Sequence, residues 1–161
     1  SHLPLLSIKP VLYVYNVSES HSNTRVYQSN ELSICARLEE ELVDLSEEER
    51  VQYLEELGIH ETGLERLIKA AYQLLGLISF LTAGKKEVRA WTIKSGTKAP
   101  EAAGVIHTDF EKGFIRAQVI EYEKLLEAGS YGNAKTNGWI RTEGKDYIVK
   151  DGDVIEFLVN K

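Results

Sequence analysis

The sequence predicts an α+β fold in two parts, and three features of the chain support this prediction. A short apolar run at residues 11–15 is typical of a buried strand in a parallel sheet. Residues 46–75 repeat apolar side chains at helical spacing, and residues 78–161 alternate between strand and helix patterns. With 161 residues, the chain is long enough for one domain, or for a small domain with a helical appendage.

The first part is predicted to contain a strand at 11–15, a polar loop at 20–31, a short strand at 32–36 and two helices. Capping boxes that begin at Ser46 and Thr62 mark the two helix starts, because each is followed three residues later by a glutamate. Gly58 is predicted to end the first helix. The second helix has an apolar face formed by Leu64, Leu67, Ile68, Ala71, Leu74 and Leu75.

The second part is predicted to be a small sheet with one or two helices. Strands are expected at 88–93 and 114–120, with Pro100 in the first turn of a short helix and Gly129 ending a helix over 122–128. Glycine–asparagine pairs at 132–133 and 137–138 indicate turns. The Asp151-Gly152 pair predicts a hairpin between 147–149 and 154–159. Together these elements predict a ubiquitin-like β-grasp module.

Charge is distributed unevenly along the chain, whose net charge is −6. Residues 1–77 carry 6 basic and 13 acidic side chains, whereas residues 78–161 carry 13 basic and 12 acidic ones. The acidic clusters at 39–41 and 47–49 are most simply explained as solvated helix faces. Any contact with a phosphate backbone is therefore expected in the second half.

Several classes of protein are not expected from this sequence. It contains no apolar run long enough to span a membrane and no basic–apolar leader, and its single cysteine, Cys35, can form no internal disulfide. These features fit a cytoplasmic protein. The G-x-x-x-x-G-K-[ST] loop is absent, so nucleotide hydrolysis by this chain alone is not expected. No catalytic triad and no metal-ligand spacing are evident, so no catalytic residue and no metal ligand are assigned.

Two segments resemble a known family. Residues 9–19 have the sequence KPVLYVYNVSE, and residues 88–116 and 145–153 match the TGS domain signature. From about residue 6 to its end, the chain is similar to YchF/EngD proteins, a branch of the Obg-related P-loop nucleotidases. The resemblance implies a remnant of the nucleotide-binding domain at 1–36, a helical segment of that domain at 37–77, and a TGS domain of β-grasp fold at 78–161.

The resemblance also implies a purine-binding site. Asn16, Val17, Ser18 and Glu19 match the base-recognition motif, with Val17 in place of lysine and Glu19 in place of aspartate. These replacements imply weaker selection of guanine, so that the longer protein would use ATP or GTP with Mg²⁺; no cofactor is expected for this chain alone. Cys35 with Ala36 resembles the second base-contacting turn. Without its flanks the first motif would be an ordinary surface turn, and Cys35 would be a buried, inert cysteine. Between Glu19 and Cys35 the chain is shorter than the family pattern, in which a helix intervenes.

TGS domains face RNA or the ribosome and are not catalytic, so the resemblance implies such a role for residues 78–161. Phe110 and Phe114 offer rings for base contact, although strand alternation favours a core position for Phe114. His107 is more simply explained as a capping or loop-bracing residue. The candidate cations for RNA or ribosome contact are Lys85, Lys86, Arg89, Lys94, Lys98, His107, Lys112 and Arg116.

Two functional hypotheses follow. In the first, the chain is part of a ribosome-associated, translation-linked protein that binds and hydrolyses ATP or GTP. Its partners would be the ribosome, RNA and a purine nucleotide, with no membrane partner and no DNA specificity. In the second, the chain is a non-enzymatic adaptor that binds RNA or the ribosome through its TGS domain. The apolar strand at 11–15 favours the first hypothesis, because such a strand needs parallel neighbours to bury it and the chain by itself is expected to offer none.

Overall fold

In the computed structural model, residues 9–18, 30–84 and 87–160 are described. The chain divides into two units, Ser1–Leu75 and Gly76–Lys161. Helices and strands occur in both units, and the predicted α+β class is confirmed. The predicted further division of the first unit at residue 36 stays a prediction.

The first unit begins with two parallel strands, β1 (Tyr13–Asn16) and β2 (Glu31–Ile34). The strand predicted at 11–15 is confirmed, but its predicted burial is wrong: Val11 is 48% and Tyr13 52% exposed. The expectation that it has no parallel neighbour within the chain is also wrong. Among the described residues β2 is the strand that pairs with β1, and this pairing along one edge leaves the faces of β1 uncovered. Most of the loop predicted at 20–31 lies outside the described residues.

Three helices follow, where two were predicted: α1 (Ala36–Val43), α2 (Glu47–Glu56) and α3 (Gly63–Leu75). The additional helix, α1, buries Leu38 and Leu42 beside Cys35, four residues apart on one helix face. Both predicted capping boxes are confirmed, and the residue that follows the C-cap of α2, Gly58, has the left-handed conformation expected at a helix end.

The described residues of the second unit form five strands and four helices, and the strands make one sheet of order β4-β3-β7-β5-β6. The strands are β3 (Leu77–Ala83), β4 (Val88–Lys94), β5 (Phe114–Glu121), β6 (Arg141–Glu143) and β7 (Asp153–Val159). The helices are α4 (Ala99–Ile106), α5 (Thr108–Lys112), α6 (Tyr122–Ala128) and α7 (Tyr131–Thr136). Strands β3 and β7 are parallel, and the β3–β4, β5–β7 and β5–β6 pairs are antiparallel. This is the β-grasp arrangement that the sequence predicts.

Helices cover parts of both faces of this sheet. Helix α4 buries Ala99, Ala102 and Ala103 against one face, together with Phe80 and Ile155. On the other face, a smaller cluster joins α6 and α7 to the sheet through Ile120, Ala128, Ala134 and Val154. The first face also carries the half-buried aromatic side chains described below.

Three sequence predictions for this unit are wrong, and strand β3 was not predicted. The unit has four helices where one or two were predicted. The hairpin predicted around Asp151-Gly152 does not form: the turn is present, but β7 pairs with β5 and β3, and Ile148 makes only an isolated bridge to Lys98. The turn predicted at 132–133 lies inside α7, which the Ser130 side chain caps by accepting a hydrogen bond from the Asn133 N–H.

Candidate functional site

The carboxyl ends of the parallel strands β1 and β2 form the first candidate site. Asn16 is the last residue of β1 and lies opposite Ile34, the last residue of β2. The Val17 N–H donates to the Ile34 carbonyl over 2.9 Å and extends the pairing by one step. In α/β proteins, ligands bind at this end of parallel strands, beyond their last residues.

The Asn16 side chain joins the two predicted base-contacting turns. Its Oδ1 accepts a hydrogen bond from the Ala36 N–H over 3.2 Å. The Ala36 N–H belongs to the first turn of α1, where backbone donors have no partner within the helix, and the N-cap Cys35 supplies no side-chain acceptor. The amide oxygen of Asn16 therefore positions α1, and its Nδ2 group remains the side-chain donor that a ligand could use.

The other predicted base-site residues differ in what they can offer. The Cys35 side chain is 8% exposed and packs with Leu38 and Leu42. It is therefore buried, as the alternative explanation of this cysteine predicts. Val17 is half-buried and Ser18 is exposed, while Glu19 lies outside the described residues.

A pocket beside these turns was not predicted from the sequence. It has a volume of about 330 Å³ and is lined by Cys35, Leu38, Glu39, Leu57, Gly58, Ile59, His60, Glu61, Gly63 and Arg66. Two contacts shape it: the Gly63 N–H donates to Glu39 Oε1 over 2.7 Å, and the Arg66 guanidinium donates to the Ser33 carbonyl over 3.1 Å. Because these partners are 24 and 33 residues apart, no local sequence pattern indicates the pocket.

The candidate cations of the second unit do not form one patch. Arg89 lies on the face of β4 that Trp91 and Ile93 turn towards α4, whereas Lys94 lies on the opposite face. Arg116 precedes the buried Ala117 on β5 and also points away from α4. Lys112 ends α5. Lys85 and Lys86 lie outside the described residues.

Lys98 and His107 have structural partners. The Lys98 Nζ forms an ion pair with Asp146 Oδ1 at 2.8 Å, and this carboxylate raises the pKa of Lys98. His107 Nδ1 accepts a hydrogen bond from the Asp109 N–H over 3.2 Å at the start of α5, which confirms the predicted capping role.

An aromatic groove lies on the α4 face of the sheet, near the β3–β4 turn. Its volume is about 570 Å³, and its lining residues, which define the aromatic groove, are Thr82, Ala83, Gly84, Glu87, Ile106, Phe110, Ile155, Glu156 and Phe157. The Arg89 guanidinium lies 4.4 Å from the centre of the Trp91 ring beside it. Phe114, in contrast, is buried in the core as its strand position predicts.

The described part of the chain shows neither a membrane-spanning helix nor a metal-binding cluster. None of its helices is both long and apolar enough to cross a membrane. No group of three or more His, Cys, Asp or Glu side chains in residues 9–18, 30–84 and 87–160 is arranged to hold a metal ion.

A family model and two curated relatives all relate this chain to YchF proteins. Residues 77–160 match the family YchF-GTPase_C, described as a protein of unknown function (DUF933). The chain is 51% identical to the ribosome-binding ATPase YchF of Bacillus subtilis strain 168, over 98% of its own length and 47% of the relative. It is 48% identical to the protein of the same name from Escherichia coli O157:H7, over 99% of its length and 47% of the relative.

A solved structure is also similar. The Schizosaccharomyces pombe YchF GTPase superposes with a TM-score of 0.78 at 33% sequence identity, over 93% of this chain and 43% of that one. The chain thus spans less than half the length of the relatives that it matches.

Proposed function

Because the chain belongs to the YchF-GTPase_C family, we propose that it is the ribosome-facing, translation-linked part of a protein that binds and hydrolyses ATP or GTP. Its relatives are named ribosome-binding ATPases and a GTPase. Work at the ribosome would place the protein in the cytoplasm. Its other partners would be RNA and a purine nucleotide.

In this proposal the first unit contributes the purine-facing side of the nucleotide site. The hydrogen bond from the Ala36 N–H to Asn16 Oδ1 is the observation that carries this assignment, because it holds the two implied base-contacting turns together at one end of a parallel strand pair. The arrangement fits a purine, since Nδ2 of Asn16 and the first-turn amides of α1 are donors that a ring nitrogen can accept from. Mg²⁺ would accompany the nucleotide phosphates in the longer protein.

Hydrolysis is not assigned to this chain alone. Phosphoryl transfer depends on a phosphate-cradling loop with its lysine and on Mg²⁺, and this sequence has no such loop motif. We expect no phosphate release above buffer when the chain is mixed with Mg²⁺ and ATP or GTP. Measurable Mg²⁺-dependent release would contradict this expectation.

The second unit is proposed to supply the contact with the ribosome. Its cations outnumber its acids by one, whereas acids dominate residues 1–77, so attraction to ribosomal RNA is expected from the second unit. The test is co-sedimentation of the chain with ribosomes at increasing salt. We expect binding that weakens as salt rises, because counterions are released when cations meet phosphates. If the chain fails to sediment with ribosomes at low salt, the proposal is wrong. The adaptor hypothesis would be favoured if the natural gene product has this size, binds ribosomes and binds no nucleotide.

A further inference from the structure

The aromatic groove has a cation and an aromatic face on one side. The Trp91 Nε1–H donates to Thr82 Oγ1 over 2.9 Å, and Thr82 lines the groove. Thr82 is also the register partner of Arg89, whose guanidinium lies over the Trp91 ring. The indole, its stacked guanidinium and the groove wall are therefore held together by direct contacts.

A second donor lies on the other side of the groove. The His107 ring centre is 6.0 Å from that of Phe110, which lines the groove, and the His107 side chain is 58% exposed. Its Nδ1 accepts the hydrogen bond from the Asp109 N–H. The neutral ring consequently carries its proton on Nε2, which makes Nε2 a hydrogen-bond donor whether or not the ring is charged.

We propose that the aromatic groove binds one unpaired nucleotide of RNA, with the base among the groove side chains and flanking phosphates contacted by Arg89 and His107. This inference rests on the proposed function and locates its RNA contact. Phe110 and Phe157 offer apolar ring surface to a base, and the Glu87 carboxylate can accept from an exocyclic amine. The donors of Arg89 and His107 at the rim match phosphate oxygens. An apolar protein side chain in the groove would leave these two donors without partners.

A nucleotide bound in the aromatic groove differs from a diffuse electrostatic contact in which arginine it needs. Arg116 carries the same charge as Arg89, is also exposed and also lies on a strand, but it points to the opposite face of the sheet. Bulk attraction of RNA to the second unit would weaken equally when either arginine is neutralised. If a nucleotide binds in the groove, RNA affinity depends on Arg89 and not on Arg116.

The test is fluorescence anisotropy of a labelled single-stranded RNA oligonucleotide titrated with the full chain and with Arg89→Gln, His107→Gln and Arg116→Gln. We expect Arg89→Gln to weaken binding about fivefold or more, as for loss of a stacking or cation contact. It should also lower the slope of log affinity against log salt by about 0.7, the value for one phosphate contact on a single strand. His107→Gln should weaken binding in the same direction, and Arg116→Gln should leave affinity unchanged. Equal losses for Arg89→Gln and Arg116→Gln would overturn the proposal.

Backbone amide NMR of the unsubstituted chain gives an independent measurement that does not depend on how variants fold. On adding the same oligonucleotide, we expect the largest shifts at Thr82, Phe110 and Phe157, and small shifts at Gln118 on the opposite face. Shifts centred on Gln118, or no saturable RNA binding, would overturn the proposal. If the chain still sediments with ribosomes in that case, only the groove assignment fails and the proposed function stands. If ribosome binding is also absent, the proposed function fails with it.

Discussion

At the residue scale, Gly113 shows how closely the second unit is packed where α5 meets β5. Its backbone N–H donates to the Asp109 carbonyl over 2.9 Å, and its carbonyl accepts from the Asn160 N–H over 2.7 Å. A Cβ at this position would lie 2.5 Å from the Asn160 carbonyl oxygen. Because the obstructing atom belongs to the backbone, it cannot swing away as a side chain would.

Gly113→Ala is therefore expected to destabilise the second unit by about 1–3 kcal/mol, the usual cost of overpacking. The measurement is urea unfolding followed by tryptophan fluorescence, because Trp91 and Trp139 both belong to this unit. Gly144→Ala is the matched control: a Cβ there meets no atom within 4 Å, so stability should be unchanged or slightly higher. Equal destabilisation by both substitutions would contradict the packing argument.

Tyr131 links α7 to the sheet face opposite α4 and should make stability depend on alkaline pH. Its hydroxyl lies 3.0 Å from Gln118 Oε1 and 3.2 Å from Glu156 Oε2. Burial, followed by the Glu156 carboxylate, raises the pKa of Tyr131 from 10.0 to about 12. Below pH 10 the folded and unfolded chains both keep the proton, so this stabilisation is fully present. As pH rises towards 12 the unfolded chain releases the proton first, and the stability of the second unit falls.

We expect urea unfolding at about pH 9 and about pH 11 to show this loss of stability in the unsubstituted chain. Tyr131→Phe should reduce the loss, because the phenyl ring has no proton to release. Tyr122→Phe is the control, since 43% of Tyr122 is exposed and its hydroxyl makes no hydrogen bond to the described residues. An identical alkaline loss in Tyr131→Phe and in the unsubstituted chain would show that Tyr131 does not contribute.

At the element scale, the first unit depends on its helix caps, because α2 buries no side chain and α3 leaves much of its apolar face exposed. The start of α3 is fixed by two hydrogen bonds: Thr62 Oγ1 accepts from the Glu65 N–H over 3.1 Å, and Glu65 Oε2 accepts from the Thr62 N–H over 2.9 Å. Thr62→Ala is expected to cost about 1 kcal/mol of unfolding free energy. Far-UV circular dichroism during urea unfolding measures the change. Thr62→Ser restores the hydroxyl and should recover most of the loss; if it does not, the capping interaction is not the cause.

Helices and turns were predicted correctly where the signal lies in neighbouring residues. The prediction failed where contacts between residues far apart in the sequence determine the structure. The capping boxes at Ser46 and Thr62 and the left-handed Gly129 were predictable, because each depends on neighbours within a few residues. The hairpin around Asp151-Gly152 was not. There the Gly152 N–H donates to the Ser79 carbonyl and the Ser79 N–H donates to Asp151 Oδ1, so that turn joins β3 across 72 residues.

The same distinction holds for the candidate sites. The resemblance pointed to Asn16 and Ala36 as neighbours, and their hydrogen bond joins residues 20 positions apart. The aromatic groove combines residues from β3, β7 and the α4–α5 region, so only the fold brings them together. Phe110 and Arg89 were each candidates from residue type alone, without any indication that they lie at one groove.

At the scale of the whole molecule, chain segments of different charge are proposed to have different functions. Residues 1–77 carry 13 acidic and 6 basic side chains and contain the turns proposed to face a purine. Residues 78–161 are close to neutral overall, with their cations spread over both faces of a sheet. Ribosome contact should therefore depend on where a charge is changed and not only on the net charge.

The most direct test of this central claim is ribosome co-sedimentation of two charge-reversal variants of the full chain. Arg89→Glu changes the second unit, and Arg37→Glu makes the same change in net charge on the exposed surface of α1, where Arg37 pairs with Glu41. We predict that Arg89→Glu loses ribosome binding at a salt concentration where Arg37→Glu still sediments like the unsubstituted chain. Equal loss in both variants, or loss only in Arg37→Glu, would contradict the assignment of the ribosome contact to the second unit.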